Sequence, residues 1–235
     1  MMQPNKVIII TGASRGLGKY LKEKLCQKGY TILAIARTEI PEEEGVLSLA
    51  MDVSVANERA SLISFIRKNK LDVYGLINNA ATGAMNQIMT TPQHKIEEVM
   101  SVNYLATSAL CRDISKLMIG NKSGRIINIG TQTLALKTPL EAAYASSKAA
   151  VETFTKILAK EIACYNITAN IVSPAVMDTQ LIKGISKERL QYMLDQQAIK
   201  KEVTFDDVSN VVEFLLEERS ANITGQNIYL GGVIV

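Results

Sequence analysis

The sequence predicts a single α/β domain, a doubly wound sandwich in which helices cover both faces of a seven-stranded parallel sheet. Apolar stretches of strand length alternate with longer stretches of helical periodicity, which is typical of repeated strand–helix–strand units. The strand candidates are rich in Ile, Val and Leu and alternate little with polar residues, as strands covered on both faces do. With 235 residues, the chain can bury one substantial core, and a second core is not expected.

Seven strands are predicted, and several helix ends can be placed between them. In chain order the strands are Lys6–Thr11, Thr31–Ala36, Val46–Ala50, Val73–Ile77, Arg125–Ile129, Thr168–Val172 and Gln226–Leu230. Gly29 follows the first helix, Thr91 and Pro92 open a long one, and Thr204 precedes Asp207 at the start of the last one. No linker, repeat or low-complexity tract interrupts this series, so residues 1–235 are predicted to form one domain.

The longest stretch without a predicted strand lies between the sixth and seventh strands. Its apolar residues are interleaved with charges, which indicates a partly exposed helix. We therefore expect residues from about 174 to 203 to form a lid over a substrate cleft.

Composition and charge argue against several classes of partner. The formal net charge of +3 is scattered, without the basic stripe and interleaved aromatic residues that nucleic-acid binding needs. The N-terminal apolar run at residues 7–10 is too short to span a membrane or to form the core of a signal peptide. Cys26, Cys111 and Cys164 form no C-x-x-C pair, and His94 is the single histidine, so no zinc site is predicted. We expect a reduced, cytoplasmic protein without a nucleic-acid, membrane or metal partner.

A glycine-rich turn follows the first strand and opens the first helix. It reads Thr11-Gly12-Ala13-Ser14-Arg15-Gly16-Leu17-Gly18. Glycines at these positions allow a tight turn and a close approach of backbone to a pyrophosphate, which the N–H groups of a helix N-terminus bind well. The motif predicts a dinucleotide site. Considered alone, the same motif could also be a turn that merely connects a strand to a helix.

The end of the second strand favours NADP(H) over NAD(H). Sites for NAD usually have a carboxylate here that binds the ribose hydroxyls, and this chain has Arg37 instead. Arg15 and Arg37 could bind a 2′-phosphate through charge-assisted hydrogen bonds. The alternative is that both arginines are simply solvated.

Tyr144 and Lys148 are one helical turn apart and are therefore predicted to share a helix face. An unperturbed tyrosine titrates near ~10, and a neighbouring ammonium lowers that value by favouring the phenolate. This pair is a candidate proton donor with its activating cation, although the same spacing also occurs on exposed helices without a function.

Taken together, these motifs resemble the short-chain dehydrogenase/reductase family over nearly the whole chain. The matching residues, in the order and spacing of that family, are the glycine turn, Asp52-Val53, Asn78-Asn79-Ala80, Asn103, Tyr144-x-x-x-Lys148, Ser173-Pro174 and Thr224-Gly225-Gln226. The resemblance implies a Rossmann-like fold and NADP(H)-dependent interconversion of a ketone and a secondary alcohol.

The resemblance also implies roles for individual residues. Tyr144 would be the general acid, Lys148 would bind the nicotinamide ribose and lower the pKa of Tyr144, Thr131 would orient the carbonyl, and Asn103 would hold a water between the lysine and bulk solvent. The implied cofactor-binding residues are Gly12, Ser14, Arg15, Gly16, Leu17, Gly18, Arg37, Asp52, Val53, Asn79, Ala80, Tyr144, Lys148, Pro174, Val176 and Thr179.

Three positions depart from the family pattern. Thr131 stands where the family usually has a serine, which keeps the hydroxyl on a stiffer, β-branched side chain. Thr133 is a less suitable substitute for that serine. Ala81 and Ala175 replace usual glycines, and each adds a methyl group near the cofactor, which would narrow the cleft or shift the backbone.

Three hypotheses about the function remain open. Over its whole length the chain most resembles 3-oxoacyl-[acyl-carrier-protein] reductases. A mildly basic surface could contact the acidic carrier protein of such a reductase, or it could be only a solvated face of the protein. Its residues are Lys122, Lys183, Lys187, Arg189, Lys200 and Lys201. A reductase of a sugar, a steroid or another small alcohol is the second hypothesis, and a non-catalytic NADP(H)-binding sensor is the third. By resemblance, the chain is expected to form a homodimer or homotetramer through the helices at residues 92–120 and 144–165.

Overall fold

The computed structural model describes residues 6–41, 43–177 and 186–232, and its centre is a seven-stranded sheet. All pairs of named strands are parallel, in the order β3-β2-β1-β4-β5-β6-β7. The strands are β1 Lys6–Thr11, β2 Thr31–Ala36, β3 Val46–Ala50, β4 Asp72–Asn78, β5 Gly124–Ile129, β6 Ile167–Ser173 and β7 Asn227–Tyr229. The predicted doubly wound parallel sheet is confirmed, and no strand boundary differs from its prediction by more than a residue.

Helices cover both faces of this sheet, as the apolar strands require. The helices are α1 Gly16–Gln27, α2 Ala56–Lys68, α3 Gln93–Met100, α4 Ala106–Asn121, α5 Thr133–Leu136, α6 Ala142–Ile162, α7 Lys187–Asp195 and α8 Phe205–Leu216. Ile9 packs in one core cluster with α2, α4 and α6, and Ile8 and Ile10 pack in the other with α1 and α8. All three isoleucines are fully buried, so β1 contributes to both cores at once.

The helix predicted over residues 92–120 is interrupted by a π turn. Helix α3 ends at Met100, the π turn covers Ser101–Leu105, and α4 begins at Ala106. Such a turn inserts one extra residue into the helix, often at a functional site. Here it places Asn103 inside the protein, completely buried.

A chain of buried hydrogen bonds joins β4, β5 and α6 below the carboxyl ends of the strands. Asn78 Nδ2 donates to Asn128 Oδ1 at 2.8 Å, and Asn128 Nδ2 donates to Thr155 Oγ1 at 2.8 Å. Thr155 in turn donates to the carbonyl of Val151 within α6. Because buried polar groups are costly without partners, this chain fixes the position of α6 relative to the sheet.

The strand order reverses between β1 and β4, and the loops after these two strands therefore separate to leave a crevice. Ligands of open parallel sheets bind at this point. Within the described ranges, no helix is both long and apolar enough to cross a membrane, and no group of three or more His, Cys, Asp or Glu residues is placed to hold a metal ion.

Replacing Asn128 with alanine should lower the free energy of unfolding by about 1–3 kcal/mol, because Asn78 and Thr155 lose a buried partner. Urea denaturation measures the free energy of unfolding of the parent and of the variant. Asn121→Ala is the matched control, since Asn121 donates to Asp72 at the exposed surface and should cost no more than about 0.5 kcal/mol. Equal losses in the two variants would contradict a stabilising role for the buried chain.

Candidate active site

A cleft of about 930 Å³ opens at the carboxyl ends of the strands. It brings together most of the residues that the sequence predicted. Those that line it are Gly12, Ser14, Arg15, Gly16, Leu17, Arg37, Asp52, Val53, Asn79, Ala80, Thr131, Tyr144, Lys148, Pro174 and Val176. Gly18 and Asn103 lie behind its wall, and Thr179 lies outside the described residues.

The glycine turn at one end of the cleft has no room for side chains. Gly12 has a φ of +69°, and a Cβ there would stand 2.9 Å from Asn79 Nδ2. A Cβ on Gly18 would overlap the carbonyl of Gly12, so α1 can begin close to β1 only because that atom is missing. Asn79 Nδ2 donates to the carbonyls of Thr11 and Gly12 at 3.0 and 3.3 Å and so holds the turn in place.

The first turn of α1 faces this end of the cleft with unpaired backbone donors. Its N-cap residue, Arg15, makes no side-chain hydrogen bond to the helix, and the first turn contains no acidic residue. A helix N-terminus of this kind attracts a phosphate group through its N–H groups and its dipole. The turn and the helix therefore fit the diphosphate of a dinucleotide.

Two guanidinium groups and one constrained carboxylate lie beyond the turn. Arg15 and Arg37 are exposed on the cleft, and neither is in an ion pair within the described part of the chain. Asp52 Oδ1 accepts hydrogen bonds from the Oγ and backbone N of Ser54 at 2.6 and 2.8 Å. The hydrogen bond from the Ser54 hydroxyl is the main cause that lowers the pKa of Asp52, and the positive charge of Arg37 lowers this pKa further.

Lys148 and Tyr144 project from α6 into the middle of the cleft. Lys148 Nζ donates to the carbonyl of Ile129, the last residue of β5, at 2.6 Å. The same Nζ lies 6.0 Å from the centroid of the Tyr144 ring. Lys148 is 4% exposed, and this burial lowers its pKa to about 8.

The predicted lowering of the Tyr144 pKa by Lys148 is wrong for this structure. Burial raises the pKa of the Tyr144 phenol well above its usual range, and the nearby Glu141 carboxylate raises it further. The Thr131 hydroxyl offsets only part of this rise. Lys148 Nζ donates to the Ile129 carbonyl and lies 6.0 Å from the centre of the Tyr144 ring, and it does not offset this loss of solvent. The phenol therefore stays protonated near neutral pH.

The two threonine hydroxyls after β5 have different surroundings. Thr133 Oγ1 donates to Glu141 Oε2 at 2.7 Å and is fully committed there. Thr131 Oγ1 accepts from the backbone N of Thr133 at 3.2 Å, and its hydroxyl also lies close enough to the Tyr144 phenol to lower the pKa of that group. Thr131 is therefore better placed than Thr133 to orient a substrate carbonyl.

Asn103 is tied to α6 and does not reach the cleft surface. Its Nδ2 donates to Ser147 Oγ at 3.0 Å and to the carbonyl of Thr82 at 2.9 Å, and its Oδ1 accepts from the Thr82 backbone N at 2.9 Å. Ser147 Oγ donates to the carbonyl of Tyr144 at 2.7 Å. In this structure the Asn103 side chain thus connects the π turn to the helix that carries the tyrosine.

The two alanines that replace usual glycines both line the cleft. The methyl group of Ala175 faces Gly231, where a Cβ would stand only 2.7 Å away. Gly231 also has a φ of +85°, which glycine adopts easily. The extra methyl of Ala175 is thus accommodated by the glycine opposite it.

Several cleft residues were not named individually from the sequence, although three of them fall in the predicted lid. Gln132, Leu136 and Glu141 lie outside that lid, and Tyr192, Met193 and Gln196 lie within it. Glu141 precedes Tyr144 by three residues, so the helical spacing that paired Tyr144 with Lys148 could also have identified it. The others come from the loop after β5 and from around α7, where spacing gives no comparable signal.

The low pKa of Lys148 should be visible in the pH dependence of stability. With a folded pKa of about 8 and an unfolded value of 10.5, the unfolded chain binds more protons between these pH values. From pH 8 to pH 10 the parent should therefore gain roughly 2 kcal/mol of unfolding free energy relative to Lys148→Met, at about 1.4 kcal/mol for each pH unit. Urea denaturation at both pH values measures the gain.

Lys160→Met, on the exposed face of α6, is the control and should show no such change. A constant difference between the parent and Lys148→Met across this pH range would contradict the burial of the ammonium.

Known proteins resemble this chain in sequence and in structure. The 3-oxoacyl-[acyl-carrier-protein] reductase FabG of Staphylococcus epidermidis is 30% identical over 239 residues, which cover 97% of this chain and 98% of that protein. The FabG protein of Escherichia coli strain K12 is 27% identical over 234 residues, which cover 97% of this chain and 96% of that protein. A solved structure of 4-hydroxyisoleucine dehydrogenase complexed with NADH has a TM-score of 0.91 and 26% identity, covering 97% of this chain and 98% of that one.

These similarities extend over the fold and the cleft together. The family model described as short chain dehydrogenase matches residues 6–190, which include the glycine turn, Tyr144 and Lys148. The family and the NADH complex of the similar structure both support a nicotinamide cofactor. The chain belongs to the short-chain dehydrogenase family, as an oxidoreductase that acts on CH–OH or C=O groups.

Proposed function

We propose that this chain reduces a ketone to a secondary alcohol with NADPH as the reductant. The observation that carries the proposal is the placement of Tyr144, Thr131 and Lys148 in the same cleft as the glycine turn. A bound nicotinamide would supply the hydride. Tyr144 donates the proton to the carbonyl oxygen, and Thr131 donates a hydrogen bond to the same atom. A protonated phenol is the form that a general acid requires, and the phenol of Tyr144 is protonated near neutral pH.

Lys148 positions the nicotinamide ribose in this mechanism. An ammonium group has three donors, and the Ile129 carbonyl accepts one of them. The other two are available for ribose hydroxyl groups. The same bond to Ile129 fixes the direction of the lysine before the cofactor binds.

The choice of NADPH over NADH rests on charge at the ends of β2 and β3. Arg37 follows β2 in the place where NAD-binding sites usually have a carboxylate. Asp52, after β3, already accepts two hydrogen bonds from Ser54. Arg15 and Arg37 are then the groups that bind the 2′-phosphate, through charge-assisted hydrogen bonds.

Two substrate classes are candidates within this proposal. The names of the FabG relatives suggest a 3-oxoacyl group on a carrier protein. Lys187 and Arg189 lie on α7, the helix that contributes Tyr192 and Met193 to the cleft, and from there they would meet an acidic carrier. Lys122 cannot join them, since it immediately precedes β5 and lies at the opposite edge of the sheet, and Lys183 lies outside the described residues. A small hydroxylated ketone, such as a sugar derivative, is favoured instead by the carboxylate of Glu141 in the cleft.

The proposed setting for this activity is a cytoplasmic homodimer or homotetramer. Cys26, Cys111 and Cys164 all have free thiols, as a reducing compartment would keep them. Leu105 and Ile157 are more than half exposed on the π turn and on α6, which are parts of the two helices expected at the interface. Residues 187–196 contribute Tyr192, Met193 and Gln196 to the cleft, in keeping with the proposed lid.

Replacing Tyr144 with phenylalanine should abolish most NADPH oxidation while leaving NADPH binding intact. General acid catalysis contributes roughly 10²–10⁴-fold, so kcat should fall by at least about 100-fold. The assay follows NADPH absorbance with a panel of β-ketoacyl thioesters and small ketones. Tyr165→Phe, at the exposed end of the same helical segment, is the control. Tight NADPH binding without turnover of any ketone by the parent would instead support the non-catalytic sensor.

Replacing Arg37 with aspartate should weaken NADPH binding by at least about 1.5–3 kcal/mol, the value of a lost charged hydrogen bond. NADH affinity should be less affected, because NADH lacks the 2′-phosphate. Fluorescence titration of each cofactor measures both effects. Arg67→Asp changes the charge equally on the exposed face of α2 and is the control. Unchanged NADPH affinity in Arg37→Asp would show that Arg37 does not contact the phosphate.

A further inference from the structure

Glu141 is a buried carboxylate in the cleft that the proposed mechanism does not use. It is 5% exposed, lines the cleft and immediately precedes α6, three residues before Tyr144. Thr133 Oγ1 donates to its Oε2 at 2.7 Å, which fixes the direction of the carboxylate. Its Oε1 accepts no hydrogen bond from the described residues. One oxygen is therefore anchored, and the other has acceptor capacity to spare.

No cation in the described ranges pairs with this carboxylate. Arg189 is the nearby positive charge, but it donates to the carbonyl of Pro139 at 2.8 Å and is not within ion-pair distance of Glu141. Burial raises the pKa of Glu141, which shows that the site disfavours its charge. A buried carboxylate with a single neutral partner is costly to the fold, and such groups concentrate at functional sites.

The surroundings of Glu141 distinguish the substrate end of the cleft from the cofactor end. Arg15, Arg37 and Asp52 belong to the cofactor end. The cleft lining also includes apolar and uncharged polar side chains from the loop after β5 and from around α7. They are Leu136, Thr138, Tyr192, Met193 and Gln196. The other carboxylates that line the cleft, Asp52 and Glu98, both lie within the influence of Arg37 at the cofactor end, whereas Glu141 lies near Tyr144. Among the described residues, Glu141 is thus the strongest hydrogen-bond acceptor that a substrate would meet beside Tyr144 and Thr131.

We propose that Glu141 determines substrate specificity by accepting a hydrogen bond from a hydroxyl or ammonium group next to the ketone that is reduced. The inference rests on the proposed function and narrows its substrate class to hydroxyketones and aminoketones. A 3-oxoacyl thioester has carbonyl oxygens and no donor on either side of its ketone, so it would present acceptors to a carboxylate. Such a substrate gains nothing from Glu141.

Matched ketones of similar size test this directly. With NADPH as reductant, the parent should show kcat/KM values at least about 10-fold higher for 3-hydroxybutan-2-one and 3-aminobutan-2-one than for butan-2-one, as expected for a hydrogen bond to a charged group. In Glu141→Gln the preference for the aminoketone should be lost, and that for the hydroxyketone should weaken, mainly through KM. Comparing the two donor ketones shows whether hydroxyl or ammonium is the better partner.

Glu161→Gln is the matched control, because Glu161 lies in the last turn of α6, exposed and outside the cleft. It should keep the preference of the parent. The proposal is overturned if the parent reduces butan-2-one as efficiently as the donor ketones. It is also overturned if Glu141→Gln lowers kcat/KM for all three ketones by the same factor, since that would indicate a purely structural role.

A binding measurement separates this inference from the proposed function. Butane-2,3-diol and butan-2-ol cannot react in the presence of NADPH, because alcohol and cofactor are both reduced. Calorimetric titration of the NADPH complex should show tighter binding of the diol by about 10-fold in the parent and a smaller difference in Glu141→Gln. If the parent binds the diol more tightly but reduces none of the ketones, the proposed reduction is refuted, while the proposed hydrogen bond to Glu141 is still supported. Equal binding of both alcohols by the parent would refute that role.

Discussion

The hydrogen bond from Lys148 Nζ to the carbonyl of Ile129 is the interaction on which the site depends. It joins α6 to the carboxyl end of β5 with a buried charged donor, and such bonds are stronger than neutral ones. Below it, Asn128 links β5 to Thr155 of the same helix. These two attachments fix the rotation of α6, so that Tyr144 faces the cleft beside Thr131. The geometry of catalysis is thus part of the packing of one helix against one strand.

Desolvation governs the electrostatics of the cleft. It keeps the Tyr144 phenol protonated, lowers the pKa of Lys148 and raises that of Glu141, so each group is biased toward its neutral form. At the other end of the cleft, the guanidinium groups of Arg15 and Arg37 are exposed to solvent. The cleft therefore combines a solvated, positive end suited to phosphates with a drier end suited to proton transfer, as expected of a cofactor site that adjoins a reaction site.

The sequence predicts the sheet well because parallel strands covered on both faces must be continuously apolar, as Ile8, Ile9 and Ile10 are. The glycine turn was predictable for a similar reason, since Gly12 adopts a backbone angle that few other residues tolerate. The π turn at Ser101–Leu105 has no compositional signature. The raised pKa of Tyr144 depends on its complete tertiary surroundings, which residue spacing does not encode.

We infer that one cleft holds a dinucleotide on the glycine turn with its reactive ring beside Tyr144. A crystal structure of the complex with NADPH tests it most directly. We expect the diphosphate at the N-terminus of α1, the 2′-phosphate between Arg15 and Arg37, and the nicotinamide in contact with Tyr144 and Lys148. A cofactor bound elsewhere, or a nicotinamide directed away from Tyr144, would contradict it.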